Sequence, residues 1–200
     1  MTIRPEQQRA LDYARRRGTE APLDAIRERV AATFTTLDAL VEMIPMELAR
    51  QHRGTSTWSI QEVVDHLVES DRPAIEQLAQ LLAGHDVAEP IAASLQSVTP
   101  LAKDWTSLRA ELRGIHRDLL ALLAAASGDE PTTVAAPVQM VVKCARPDGS
   151  LEPVSWLEHF DWKAFAILLH AHNREHIAQI QRILAAPAAA APRPSGQPAL

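Results

Sequence analysis

Residues 170–184 read HAHNREHIAQIQRIL, the segment from which the architecture of the chain is most readily inferred. His172 and His176 are four residues apart, a spacing that puts both imidazoles on one face of an α-helix. The rest of that face is apolar: Phe165, Leu168, Leu169, Ile180, Ile183 and Leu184. We therefore expect both imidazoles to point into a core, where a buried polar group without a partner is costly. A divalent metal ion is one partner that satisfies both.

The composition favours a single helical domain. The chain has 200 residues, 46% of them hydrophobic, and only seven glycines, which favours an all-α protein over a sandwich or a barrel. The net charge of −5 gives no reason to expect a nucleic-acid partner. The single cysteine, Cys144, excludes an intramolecular disulfide framework and fits a reducing cytoplasm. No apolar run approaches the roughly 20 residues of a membrane helix, and the N-terminus lacks the apolar stretch of a secretory signal.

The chain is predicted to divide into three parts. Residues 1–22 form a basic N-terminal extension, residues 23–185 a helical domain, and residues 186–200 a disordered Pro/Ala-rich tail. In the extension, Pro5 can start a short helix and Gly18 can end it. We interpret this helix as solvated or docked on the domain rather than as a nucleic-acid arm.

The helical period predicts four long helices, which span residues 23–44, 59–82, 104–126 and 155–185. Thr57 or Ser59 is the expected N-cap of the second helix, and Pro73 inside it should kink or restart it. A long loop covers residues 84–103. The segment 132–153 contains the turn sequence PDGS after a β-like run, which indicates a small hairpin or an extended flap. Helices of this length with these connections predict a four-helix bundle, in which metal sites face inward.

A third histidine completes a candidate site. His66 follows Val63 by about one helical turn and lies at the edge of the apolar face of the second helix. One histidine from this helix and two from the last can converge in a bundle. Three neutral imidazoles with open coordination positions describe a reactive metal site rather than a closed structural one. The alternative is a set of core histidines bonded to carbonyls or carboxylates.

Here the sequence resembles the DinB/YfiT-like family of metal-binding four-helix bundles. The resemblance rests on the helix start at Trp58 and Ser59 with Val64 and His66 after it, and on HxxxH followed by residues 177–180, IAQI. It covers about residues 23–185. Relatives can carry further histidines beside the last pair, whereas Glu175 stands before His176 here.

The resemblance implies a fold, a site and a kind of chemistry. The fold is an up-down-down-up bundle, and the divalent metal ligands are His66, His172 and His176. The family's activities mostly involve low-molecular-weight thiols, so the expected function is a bacterial metal-dependent thiol S-transferase that acts on a thiol and an electrophile. We also expect a homodimer without nucleic-acid or membrane partners.

The same metal site supports several functions. A bound cation favours the thiolate, the nucleophile of thiol chemistry, and it can equally lower the pKa of bound water in a hydrolase. The same three ligands also suit a metal-dependent isomerase and a non-catalytic metal-binding stress protein. Zinc is the first candidate for the metal, and nickel, iron and manganese are alternatives, because histidine ligands suit all four.

Carboxylates near His66 are candidates for orienting it or for proton transfer. Glu62 and Glu69 flank it at i−4 and i+3, and either can accept its free N–H or act as a general base. We favour Glu69 as the catalytic residue, and we expect Asp65 to face solvent.

The remaining reactive side chains are assigned structural roles. His170 lies about 200° around the helix from His172, so we expect it on the surface or in a subunit contact. His116 is expected to be partly buried, and Cys144 to behave as a small buried hydrophobe. The four tryptophans are expected to pack loops against the bundle, with Trp156 or Trp162 as candidates for the mouth of the site.

Overall fold

Six α-helices and one β-hairpin make up the protein in the computed structural model, which describes residues 3–54 and 56–187. The elements are α1 (Pro5–Ala14), α2 (Leu23–Glu42), α3 (Met46–Ala49), α4 (Ile60–Leu82), α5 (Trp105–Ala125), β1 (Ala136–Ala145), β2 (Leu151–Phe160) and α6 (Trp162–Ala185). A π-helical turn, Arg15–Thr19, follows α1, and a 3₁₀ turn, Pro100–Ala102, precedes α5.

The four long helices α2, α4, α5 and α6 form the bundle. Each of α2 and α4 packs against both α5 and α6, so the four helices enclose one core. The largest fully buried side chains in this core include Trp162, Phe34, Leu67 and Leu112. The predicted helical bundle is therefore confirmed, and the hairpin precedes the last helix as expected. Within the part of the chain that the structure describes, no helix is both long and apolar enough to span a bilayer.

Helix α4 begins at a complete capping box. The Ser59 amide donates to Glu62 Oε2 at 2.7 Å, and the Glu62 amide donates to Ser59 Oγ at 3.3 Å. Ser59 rather than Thr57 is therefore the N-cap. The helix then runs unbroken through Pro73, so the expected restart does not occur. Ala74 and Leu78 are fully buried, so the second half of α4 packs in the core despite the missing backbone donor.

The prediction for the start of the last helix is wrong by seven residues. Residues 151–160 form β2, which pairs antiparallel with β1 in the register Cys144↔Glu152 and Met140↔Trp156. Its sequence LEPVSWLEHF follows the two-residue period of a strand. The N-cap of α6 is Asp161, whose carboxylate accepts hydrogen bonds from the amides of Lys163 and Ala164.

The N-terminal extension docks on the domain. A small apolar cluster joins α1, the hairpin and the beginning of α6, and its buried members are Ala14, Met140, Phe160 and Ala164. Cys144, on the same strand as Met140, is fully buried, as predicted. The helix begins at Pro5 as predicted, and its π-helical continuation ends at Thr19, one residue beyond the expected end at Gly18. Most of the tail predicted to be disordered, residues 188–200, lies outside the described residues.

Candidate metal centre

Helices α4 and α6 bring His66, His172 and His176 together. The Nε2 atom of His172 lies 3.2 Å from Nε2 of His66 and 3.0 Å from Nε2 of His176. The three ligand atoms all lie within 4.8 Å of one another. Two of the rings are one helical turn apart on α6, and the packing of α4 against α6 supplies the third.

The opposite ring nitrogens are held by other groups. Nδ1 of His66 donates to the Leu95 carbonyl at 2.7 Å, and Nδ1 of His176 donates to Oε1 of Gln179 at 2.8 Å. These bonds place the proton of each neutral ring on Nδ1 and leave a lone pair on Nε2. Hydrogen bonds of this kind orient histidine ligands in metal sites.

The donor set fits a cation. Nitrogen lone pairs that face one another at 3.0 to 3.2 Å repel unless a proton or a cation lies among them. Three imidazole nitrogens suit zinc and several other divalent transition metals.

Burial keeps two of the rings in the form that binds metal. It lowers the pKa of His66, with a smaller contribution from His172. Burial, followed by the neighbouring His172 and His66, lowers the pKa of His176 to about 3. A charged imidazole in this position loses its hydration and meets like charges, so the neutral form is favoured, and only neutral imidazole coordinates a metal.

Two features cover His66 from the solvent side. The Trp58 ring lies 5.2 Å from the His66 ring, centroid to centroid. The loop before α5 places the Leu95 carbonyl on Nδ1. The hairpin packs against α1 and the beginning of α6. The proximity of Trp58 to the site had no signal in the sequence beyond its place before the N-cap.

The loop before α5 is anchored by Asp65. Its carboxylate accepts hydrogen bonds from the amide and the hydroxyl of Ser97, each at 2.8 Å, and pairs with Lys103 Nζ at 2.7 Å. The expectation that Asp65 faces solvent is wrong, because its side chain is fully buried. A carboxylate with this many partners is compensated for its lost hydration.

The two candidate glutamates have partners other than His66. Glu69 Oε1 accepts from Lys103 Nζ at 3.0 Å, and Glu62 is bound in the capping box of α4. Nδ1 of His66 donates to Leu95 instead of to either carboxylate.

His170 does not lie on the surface. It is buried, and its Nδ1 lies 2.8 Å from Thr33 Oγ1 on α2. The prediction of a surface position is wrong because α6 packs against both α2 and α4, so two of its faces are covered. His170 nevertheless lies outside the triad of His66, His172 and His176, because its ring faces α2.

Other predicted structural roles are confirmed. His116 is buried, stacks on Phe34 with 4.0 Å between ring centroids, and its Nδ1 lies 2.8 Å from Asp38 Oδ1. Trp105 donates its indole N–H to the Ile44 carbonyl at 2.8 Å, and Trp162 donates to the Glu130 carbonyl at 3.3 Å. Both tryptophans therefore join loops to the bundle rather than line the candidate site.

Asp71 and Asn173 were missed by the sequence reasoning. Both side chains are fully buried, and Asp71 Oδ1 lies 3.8 Å from His172 Nδ1. A signal was present, because Asp71 follows Leu67 by four residues and Val64 by seven, which places a carboxylate on the apolar face of α4. The hydrogen bond between the Leu95 carbonyl and His66 had no such signal in the sequence, because every residue has a backbone carbonyl.

The comparisons with known proteins identify the fold through structural similarity. A scan against protein-family models gives no match, and neither does a search of curated proteins. The solved structure of the mycothiol-dependent maleylpyruvate isomerase superposes with a TM-score of 0.55 at 11% identity, covering 85% of this chain and 63% of that one. The chain thus spans less than two thirds of the isomerase's length.

A second solved structure covers nearly all of both chains. YfiT from Bacillus subtilis, described as a probable metal-dependent hydrolase with an unusual four-helix bundle topology, superposes with a TM-score of 0.53 at 17% identity. The match covers 93% of this chain and 92% of YfiT. The bundle built from α2, α4, α5 and α6, with its hairpin before α6, therefore has a DinB/YfiT-like fold.

Proposed function

We propose that this protein binds a divalent metal ion through His66, His172 and His176 and uses it to activate a low-molecular-weight thiol for transfer to an electrophile. The convergence of the three Nε2 atoms, with Nδ1 of His66 and His176 bound elsewhere, carries the proposal. Zinc is the first candidate for the ion, and nickel, iron and manganese suit the same donors.

The ion would supply Lewis acidity, which lowers the pKa of a thiol or a water molecule bound to it. The protein's own residues would hold the three imidazoles in place and keep the surroundings of His66 dry through Trp58 and the Leu95 loop. The His172 side chain is 35% exposed, so a substrate can reach this side of the site. We propose Glu69, whose partner is Lys103, as the proton acceptor.

A metal-dependent hydrolase is the second candidate function. YfiT, which the chain matches over nearly its whole length, is described as a probable metal-dependent hydrolase, and this match favours water as the activated group. The mycothiol-dependent isomerase supports a thiol as partner. Up-down-down-up helix order, a homodimer and a bacterial cytoplasmic location are further parts of the proposal, which rest on the DinB/YfiT resemblance.

Metal content tests the site. We expect the purified protein to hold a near-stoichiometric divalent ion, and we expect H66A, H172A and H176A each to lose most of it, because a chelate site loses much of its affinity with one ligand. Elemental analysis after gel filtration measures this. His159 is exposed on β2, so H159A is the control and should keep its metal. Full metal content in H66A would refute the three-histidine site.

A cobalt-substituted protein separates the two chemistries. If the ion binds thiols, N-acetylcysteine should produce a thiolate-to-cobalt charge-transfer band that H172A lacks. If thiols leave the spectrum unchanged while the protein hydrolyses a model ester in a metal-dependent manner, the hydrolase is correct and the thiol-transferase proposal fails.

A further inference from the structure

Asp71 is a fully buried carboxylate on α4 that faces α6. Ionised groups in such places are normally paired or bound to a cation, because burial removes their hydration. An unexplained buried carboxylate beside a candidate metal site calls for a physical reason.

One of its two oxygens has a partner and the other does not. Oδ2 accepts a hydrogen bond at 3.0 Å from Nδ2 of Asn173, whose amide also donates to the Leu169 carbonyl at 3.1 Å. Oδ1 is buried and has no hydrogen-bond partner among residues 3–54 and 56–187. It lies 3.8 Å from Nδ1 of His172. Asn173 thus fixes the carboxylate so that Oδ1 points toward His172. Among the three rings of the triad, His172 is the one whose Nδ1 makes no hydrogen bond within the described chain.

The gap between the two atoms is small. It exceeds the usual N–H···O distance of about 2.9 Å by about 0.9 Å. The torsion that turns a histidine ring has a broad energy minimum, so a modest rotation of His172 closes much of this distance.

The neighbouring carboxylates are already occupied. Asp65 and Glu69 both pair with Lys103, and Glu62 is bound in the capping box of α4. Three neutral imidazoles and a divalent ion would carry two positive charges into the site. Asp71 differs from these three because it is fully buried with an oxygen, Oδ1, that has no hydrogen-bond partner in the part of the chain described; the cation-forming group beside this oxygen is His172, at 3.8 Å.

We propose that Asp71 is the positioning residue of His172: it accepts a hydrogen bond from the Nδ1–H group, turns the Nε2 lone pair toward the metal position, and offsets part of the ion's charge. This inference rests on the proposed function, since it assigns Asp71 a role at the same site. Leu95, Gln179 and Asp71 would then hold the three Nδ1 atoms of the triad.

The D71N variant tests the role. An amide presents an N–H to Nδ1 and moves the ring proton to Nε2, where it blocks coordination; the carboxylate's charge is lost as well. We expect zinc affinity, measured by competition with a chromophoric chelator, to fall by about 10- to 100-fold. D38N is the matched control, because Asp38 forms the same kind of pair with His116 away from the triad. It should change the affinity by less than about threefold, within the scatter of surface effects.

A measurement on the wild-type protein keeps the inference testable if D71N does not fold. In the zinc-loaded protein, long-range ¹H–¹⁵N NMR spectra should show His172 protonated on Nδ1 and lacking a proton on Nε2. An Nδ1 without its proton would overturn the assignment.

The outcomes separate this inference from the proposed function. Wild-type affinity in a folded D71N would overturn the role of Asp71 and leave the three-histidine site intact. A wild-type protein that binds no divalent ion would overturn the proposed function, and the role of Asp71 with it.

Discussion

Gly18 shows at the scale of one residue how the extension is held on the bundle. A Cβ atom at this position would lie 2.4 Å from the Cα atom of Ala164, closer than any real contact. The contact is with backbone, which cannot move aside as a flexible side chain can. Gly18 therefore lets the turn after α1 approach the first turns of α6.

We expect G18A to lower the free energy of unfolding by about 1–3 kcal/mol, the usual cost of overpacking. Urea denaturation followed by circular dichroism measures this. G114A is the matched control, since the nearest atom to its new Cβ would be Arg117 Nη2 at 3.7 Å. Because alanine is the better helix former by about 1 kcal/mol, G114A should be stabilising. Equal effects of the two substitutions would contradict the close approach at Gly18.

At this scale the sequence identified the polar residues that a helical period places on one face. The spacing of His172 and His176 can be read from the sequence because i to i+4 geometry is local, whereas His66, on another helix, enters through the predicted bundle and the family resemblance. Asp65 and His170 were misjudged for a different reason. Whether a polar side chain faces solvent depends on which neighbouring elements cover its helix. The loop that binds Asp65 through Ser97 and the contact of His170 with α2 both involve residues distant in the chain, so a local sequence pattern does not show them.

Among the elements, α4 determines most of the site. It carries His66, the loop anchor Asp65 and the buried Asp71 within two turns of one another. Its first turn is fixed by the reciprocal hydrogen bonds of Ser59 and Glu62, so the position of His66 along the helix depends on a rigid beginning.

We expect S59A to lower the free energy of unfolding by about 1 kcal/mol, because it removes the oxygen that accepts the Glu62 amide. Thermal or urea denaturation of the metal-free protein checks it. Thr57 is exposed and is the other N-cap candidate in the sequence, so T57A should change stability by less than about 0.5 kcal/mol. If T57A costs as much as S59A, the cap assignment is wrong.

The hairpin and α6 show where the prediction of elements from sequence was wrong. The prediction starts the last helix at residue 155, whereas residues 155–160 belong to β2 and Asp161 is the actual cap. A strand and a helix compete for such a segment, and the pairing of β2 with β1 decided the outcome. Backbone bonds to a distant strand are not visible in a local window.

For the whole molecule, the proposed metal links two helices of one core. A ligand that binds the folded chain and not the unfolded one raises stability with its concentration. The triad joins α4 to α6, so the gain is expected in the global unfolding transition rather than in a local one.

We expect zinc at 100 times its dissociation constant to raise the free energy of unfolding by about 2.7 kcal/mol. Calorimetry or thermal circular dichroism of the chelator-treated protein, with zinc added back, measures the shift. H176A lacks one ligand and should show little of this gain. An equal shift in H176A would mean that zinc stabilises the fold from another site.

The amino-acid sequence alone predicts the helical class of the protein, the four long helices except for the beginning of the last one, and the two histidines one turn apart on α6. These features depend on residues within a turn or two of each other, so their periodicity and capping residues can be recognised in a short segment of sequence. The packing of the helices sets what surrounds the triad: the Leu95 carbonyl on His66, Asp71 beside His172, and the hairpin against α1 and the beginning of α6. Those contacts join residues far apart in the chain, and their geometry exists only once the helices have packed.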